Sequence, residues 1–152
     1  MRIRVQHEDF DVSALTRDLV GQRRDIGAVV SFTGRVRDRS EAQNLRALEL
    51  EHYPAMTEKA LREIAEQAQA RWAIDDLAIV HRVGRLEVGD NIVAVVTVSA
   101  HRRDAFEACE FLMDYLKTRA PFWKKEITTD GETWVEAKSS DDVAAERWQD
   151  AD

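Results

Sequence analysis

Apolar residues recur along this chain in two rhythms, every second residue and every third or fourth, and the switches between them outline the fold. Ile3 and Val5 alternate with polar neighbours, which predicts a short first strand, and Val12, Leu15, Leu19 and Val20 then fall at helical spacing. Gly27 to Gly34 (GAVVSFTG) reads as a buried strand. Arg35 to Asn44 reads as a mobile charged loop without periodicity, and Leu45 to Tyr53 as a further strand that Pro54 ends. Met56, Ala60, Leu61, Ile64, Ala65, Ala68 and Trp72 form the clearest helical stripe, with the good helix formers Glu58, Arg62, Glu63 and Glu66 outside it. Leu77, Ile79 and His81 alternate and Val83 completes the run. After the Gly89-Asp90 turn, Ile92 to Ser99 is rich in Val, and these two segments are expected to pair.

Between Asp104 and Leu116, the residues Phe106, Cys109, Leu112, Met113 and Leu116 stand three or four apart, the repeat of a helix with one buried face; Asp104 and Glu107 fit a capping box at its start. Near the end, Glu126 to Thr129 and Thr133 to Ala137 flank Asp130-Gly131, a dipeptide that favours a hairpin turn with positive φ. The order β, α, β, β, α, β, β, α, β, β contains no repeat and no glycine-rich phosphate loop. It predicts an α+β fold: a mixed, mainly antiparallel sheet packed with about three helices and finished by a C-terminal hairpin. With 152 residues the chain is expected to form a single domain, 1–152, with an acidic tail over 139–152 whose composition allows mobility.

Composition narrows the function. A single cysteine, Cys109, excludes an intramolecular disulfide, and with four scattered histidines it leaves none of the paired spacings of a zinc site. A reducing cytoplasm fits this usage. The start, Met1-Arg2-Ile3-Arg4, lacks an apolar signal core, and the longest apolar run, Ile92 to Val96, is far short of the ~20 residues of a membrane span, so a soluble, unexported protein is expected. The net charge of −7 argues against broad nucleic-acid binding, which draws its affinity from Lys and Arg on phosphates. Yet Arg35, Arg37, Arg39, Arg102, Arg103, Lys117, Arg119, Lys124 and Lys125 gather in or beside three short segments. That segregation suits a small anionic substrate.

A strand that ends in His101-Arg102, a helix that ends at Lys117 and a Pro121 turn carrying Lys124 are expected to converge on one anionic ligand. The dipole of a helix C-terminus, at up to about 1 kcal/mol, would alone explain a lysine at position 117. The further cations Arg119, Lys124 and Lys125 raise one another's cost unless an anion sits among them or one lysine gives up its proton, which would make it a nucleophile or base. Arg35 and Arg37 follow Gly34 directly and present two guanidiniums at a strand end. Phe122 and Trp123 read as packing, and Cys109, on the apolar face of its helix, as an inert core thiol. His7, His52 and His81 show no chemical constellation.

Five segments in order carry a specific resemblance: GAVVSFTGRVR (Gly27 to Arg37), LELEHYPAMTEKAL (Leu48 to Leu61), HRVGRLEVGD (His81 to Asp90), SAHR (Ser99 to Arg102) and MDYLKTRAPFWKKE (Met113 to Glu126). Together they resemble the large, catalytic subunit of molybdopterin synthase, over roughly Gly27 to Ala137. The resemblance implies a sulfurtransferase of molybdenum-cofactor biosynthesis that converts cyclic pyranopterin monophosphate into the molybdopterin dithiolene. It implies as partner a small ubiquitin-like subunit whose C-terminal Gly-Gly carries a thiocarboxylate, bound at each end of a homodimer of large subunits to make a heterotetramer. No cofactor and no metal is implied on this chain. The chain ends Gln149-Asp150-Ala151-Asp152 without Gly-Gly, so it is not expected to be the sulfur donor.

By the same resemblance Arg35, Val36, Arg37, His101 and Arg102 border the substrate, and Lys117, Lys124, Lys125 and Glu126 complete the site. Lys117, Lys124 and Arg37 are the expected catalytic residues: Lys117 for proton transfer or transient acyl contact with the donor glycine, Lys124 and Arg37 for developing charge. Phe32 and Met113 are candidates for lining the tail channel, and both also fit core positions. Two other readings compete: a scaffold that holds a ubiquitin-like tail without chemistry, and an RNA-binding α+β domain using the basic segments with Phe122-Trp123.

Overall fold

The computed structural model describes residues 1–39, 44–135 and 139–149. Along it run β1 (Arg2–Gln6), α1 (Val12–Val20), β2 (Ala28–Arg35), β3 (Leu45–His52), α2 (Pro54–Arg71), β4 (Ile74–Arg82), β5 (Gly84–Glu87), β6 (Asn91–Ser99), α3 (Arg102–Arg119), β7 (Phe122–Thr128), β8 (Gly131–Val135) and α4 (Ser139–Glu146). The strands form two four-stranded sheets, ordered β1-β4-β6-β2 and β5-β3-β7-β8. Only the β1–β4 pairing among them is parallel. The α+β class and its mainly antiparallel character hold, but the expected single sheet is two.

Strands β4 and β6 lie at the centre of the first sheet and are covered on both faces, which is why they read as nearly unbroken apolar runs. Leu77, Ile79, Val93 and Val95 face α2 and α3, packing with Leu61, Ile64, Phe111 and Leu112; Ala78, Val80, Ala94, Val96 and Val98 face Leu15 and Leu19 of α1. Each fully buried side chain of this kind stabilises the fold by about 1.5–3 kcal/mol, and Leu61→Ala, at a site with no exposure, should cost about 2–5 kcal/mol. A third cluster, Val36, Leu45, Leu48, Leu50 and Leu86, fills the inner face of the second sheet.

Several local expectations change. β2 is an edge strand, not a buried one, and Phe32 on it is 40% exposed. In the expected loop from Arg35 to Asn44, Arg35 still belongs to β2, the Val36 N–H donates to the Asp90 carbonyl at 2.9 Å, and Arg39 and Asn44 form an isolated bridge; residues 40–43 lie outside the described residues. Met56, read as part of the α2 stripe, is exposed, and that stripe runs through Thr57, Leu61, Ile64, Ala65 and Ala68 instead. The capping box is absent: α3 begins earlier, with His101 as its N-cap, and Glu107 accepts hydrogen bonds from Arg103 and from the Trp72 indole at 2.8 Å. Phe106 of α3 is 60% exposed.

The terminal hairpin forms, but its two turn residues are Thr129 and Asp130, with Gly131 taking the positive φ of 129° as the first residue of β8. The last two residues of the expected strand, 136 and 137, lie outside the described residues. Periodicity missed β5 and α4. Beyond α4, Trp148 packs edge-on against Trp72 and Phe111, its indole donating to Asp114 at 2.7 Å, while the Arg147 guanidinium bridges Glu110 and Asp114. Among the described residues no helix is long and apolar enough to cross a membrane.

Candidate functional site

The first sheet sets where each basic segment can reach. Gly34, Val93 and His81 form one row across β2, β6 and β4, a row about 10 Å wide at the usual strand spacing. Arg35 to Arg37 therefore leave the sheet at the same end as His81. Ser99 pairs with Ala28 at the opposite end, about 20 Å away along β6, and His101-Arg102 follow it. From there α3 runs back along the sheet, so that the rise from Arg102 to Lys117 is about 22 Å.

Lys117 thus returns to the end that carries His81, and its charge acts on that imidazole. The second sheet meets the first here. Phe122, the first residue of β7, stacks on His81 with ring centroids 3.8 Å apart and planes 16° from parallel, and it pairs in register with His52 at the end of β3. Strand alternation puts Lys124 and Glu126 on the face of Phe122, opposite Leu50 and Leu48. One Glu126 carboxylate oxygen, Oε2, is sealed without a partner, as is Nδ1 of His52.

One end of the molecule therefore gathers Arg35, Val36, Arg37, Lys117, Lys124 and Glu126. Lys117 and Arg37 are exposed and make no ion pair or hydrogen bond among the described residues, so both are available to an anion. The Arg35 guanidinium is already engaged, donating to the Gly89 carbonyl at 2.8 and 3.3 Å, where it ties β2 to the β5–β6 turn. Val36 is buried, 3% exposed, in the cluster with Leu45 and Leu86, so its side chain belongs to the core of the second sheet.

Two expectations fail within a single chain. His101 and Arg102, exposed at the start of α3, are a helix length from Lys117 and do not converge with it. Lys125 points to the opposite face of β7 from Lys124, because side chains alternate along a strand; there its ammonium lies 3.3 Å from both Glu132 and Glu49, whose carboxylates hold it above the usual lysine range. Cys109 is buried, and desolvation pushes its thiol up to about 12, so it is no nucleophile at neutral pH.

The residues that sequence reasoning passed over are His52 and His81. The available signal was His81 itself, a titratable residue in register with the core positions Leu77 and Ile79. A polar ring at a core position needs a reason to be there. Burial, followed by the charges of Lys117 and His52, pulls its pKa down to about 4, against the Arg82 carbonyl that accepts from its Nδ1 at 2.7 Å.

Fold and site together define a two-sheet α+β protein that presents Lys117 and Arg37, unpaired among the described residues, where its sheets join. The pattern that characterises the MoaE protein family matches residues 5–119, and the chain belongs to that family. It is 54% identical over 150 residues to the molybdopterin synthase catalytic subunit of Pseudomonas aeruginosa, covering 99% of this chain and 100% of that one. To the protein of the same name from Vibrio cholerae it is 52% identical over 148 residues, 97% of this chain and 98% of that one. Among solved structures, the molybdopterin biosynthesis MoaE protein of Burkholderia ambifaria superposes with a TM-score of 0.83 at 57% identity, covering 97% of each chain. Likeness reaches beyond the segments that carried the resemblance, into the first strand and the C-terminal helix.

Proposed function

We propose that this chain is the catalytic subunit of a molybdopterin synthase, a sulfurtransferase that installs the two dithiolene sulfurs on cyclic pyranopterin monophosphate. The observation that carries the reading is Lys117: exposed and unpaired among the described residues, at the sheet junction, in a chain about half identical to catalytic subunits of that name. The sulfur comes from the C-terminal thiocarboxylate of a ubiquitin-like small subunit. Both reacting groups are anionic, the cyclic phosphate and the thiocarboxylate, and a site for both needs fixed cations aimed at developing negative charge. Lys117 acts where tail and pterin meet, by proton transfer or transient acyl contact, while Lys124 and Arg37 stabilise charge. Phe32 and Gly34 lie on the α3 side of the exposed edge strand β2, a surface suited to an extended peptide tail, with Met113 of α3 packed against the adjoining core.

The length of α3 supports a homodimer within a heterotetramer. The substrate is far smaller than the distance between Arg102 and Lys117, so His101 and Arg102 serve the site of a second copy, not their own. The compartment is the cytoplasm, in keeping with a lone, buried thiol.

The test is dithiolene formation from cyclic pyranopterin monophosphate and a thiocarboxylated small subunit, with Lys117→Ala run alongside. Product from the wild type alone supports enzyme and residue together. Product from both moves the chemistry to Lys124 or Arg37. Product from neither, with the tail still bound, makes the chain a scaffold.

A further inference from the structure

The C-terminal segment reaches back to α3 one helical turn before Lys117, and the synthase reading has no use for that contact. Glu110, Asp114 and Lys117 stand at i, i+4 and i+7 on α3, one stripe along the helix. Asp114 is the only carboxylate of α3 within a turn of Lys117. An acid three residues before a lysine is placed to pair with it along a helix. Lys117 is nevertheless exposed and unpaired among the described residues, and the carboxylate is engaged elsewhere. The Arg147 guanidinium and the Trp148 indole both donate to one oxygen of Asp114, Oδ2, at 2.9 and 2.7 Å. Arg147 also pairs with Glu110, the next acid back along the stripe.

Packing holds both donors in place. Trp148 lies edge-on to Trp72 and Phe111, with ring centroids 5.4 and 5.7 Å away, and the Arg147 guanidinium sits 4.7 Å from the Trp148 ring centroid. The aromatic contacts alone would anchor the segment, and a backbone carbonyl would satisfy the indole. A carboxylate with a guanidinium on the same oxygen adds what neither supplies. It neutralises the negative charge nearest Lys117 along the helix and turns it toward the C-terminal segment. Asp114 is only 17% exposed, so water screens it in part, and an unheld carboxylate there would pair with the lysine.

We propose that Arg147 and Trp148 are positioning residues for Lys117, acting through Asp114: by holding that carboxylate they keep the lysine unpaired and open to an anion. The effect on substrate rests on the synthase reading; the freeing of Lys117 does not. The experiment therefore has two arms. In the first, on the full chain, the rate at which N-hydroxysuccinimidyl acetate acylates Lys117 is read by mass spectrometry of the peptide that carries it. Arg147→Met with Trp148→Phe keeps the apolar packing and removes both donors, and acylation should slow by roughly twofold, the factor of a helical ion pair. Adding Asp114→Asn should return the rate to that of Asp114→Asn alone. An unchanged rate in the double variant overturns the proposal, as does a slow rate that Asp114→Asn fails to restore. Should the double variant not fold, Arg147→Met alone keeps the Trp148 anchor; slowing is expected there too, and its absence overturns the proposal.

The second arm measures turnover in complex with the small subunit. The double variant should raise KM for cyclic pyranopterin monophosphate by roughly three- to tenfold, because the freed carboxylate both occupies the lysine and repels an anionic substrate. Asp114→Asn should restore KM. A merely structural contact predicts the opposite, since losing the acid as well cannot mend a loosened helix. A raised KM that persists in the triple variant and tracks a fall in melting temperature therefore overturns the proposal, as does a wild-type KM in the double variant. A wild type that makes no dithiolene overturns the synthase reading instead, and the acylation rates then decide alone whether Arg147 and Trp148 keep Asp114 from Lys117.

Discussion

At its N-terminus α3 leaves β6 with His101 and Arg102 in solvent, neither side chain hydrogen-bonded among the described residues. At its C-terminus Lys117 is also exposed, yet it stands over a built floor in which β3, β4 and β7 bring His52, His81 and Phe122 into one ring stack. Both ends supply cations, and only one supplies geometry. An arginine that grips a phosphate can act from an open surface, because its fork orients itself on the ligand; a lysine that must meet one atom needs its surroundings to aim it. On the proposed function, chemistry belongs to the C-terminal end and anion capture to the N-terminal end.

The largest effect that could break this assignment comes from Lys117→Ala. It should reduce dithiolene formation by roughly 10²–10⁴-fold, the range for removing a positioned proton-transfer group or nucleophile, while calorimetry shows tail affinity nearly intact. Activity close to wild type would move the chemistry away from the floor.

Mixing two inactive variants sharpens the comparison further. If His101 and Arg102 serve a second copy, a mixed dimer of Lys117→Ala with Arg102→Ala holds one site with both defects and one with neither. Refolding the two variants together should then restore about a quarter of wild-type activity, since random pairing makes about half the dimers mixed and each has one intact site. No recovery would mean that both groups act within one copy, against the separation set by α3.

The sequence made the two central strands, the three long helices and the basic segments legible, because each is a matter of period or composition: Leu77/Ile79 and Leu61/Ile64/Ala68 point inward for reasons visible in a one-dimensional pattern. It could not show that Lys124 and Lys125, adjacent in the chain, face opposite sides of a strand until β7 was known to begin at Phe122. Nor could it show that a helix carries His101 away from Lys117 instead of toward it. His81 was hidden for a different reason: an imidazole in a core strand and an imidazole at a sheet junction have the same sequence signature. Helix α4 escaped because its buried contacts are few, chiefly Ala145, and its anchor, Trp148, lies beyond its end.

A smaller effect, in stability, separates the floor from the open end. His81 has a folded pKa of about 4 against an unfolded value of 6.5, so between those values the unfolded chain binds the extra proton and stability falls as pH falls. The loss should approach about 3 kcal/mol across that window and be absent above pH 7. Urea denaturation at pH 7.5 and pH 4.5 measures it, and in His81→Phe the acid loss should be smaller by about that amount.

Cys109 lies midway between the two ends, on the buried side of α3, and should matter to neither chemistry. Cys109→Ser places a hydroxyl in an apolar site and should cost about 1–2 kcal/mol in denaturant titration with turnover within about twofold of wild type. A folded variant without activity would bring the thiol back as a sulfur carrier and displace Lys117 from the centre of the mechanism.

The smallest effect is expected from Lys125→Ala, and it is informative because Lys125 adjoins Lys124 in the chain. Its ammonium is occupied by Glu49 and Glu132 on the outer face of the second sheet, and it sits 5.2 Å from the Trp134 ring centroid. Ion pairs at the solvent-facing surface of a sheet contribute little, even with a partly buried lysine, so the melting temperature should move by less than about 3 °C and kcat and KM by less than about twofold. If Lys125→Ala instead raises KM for cyclic pyranopterin monophosphate by tenfold or more, substrate reaches the outer face of β7, and the sheet junction is not where the anion binds.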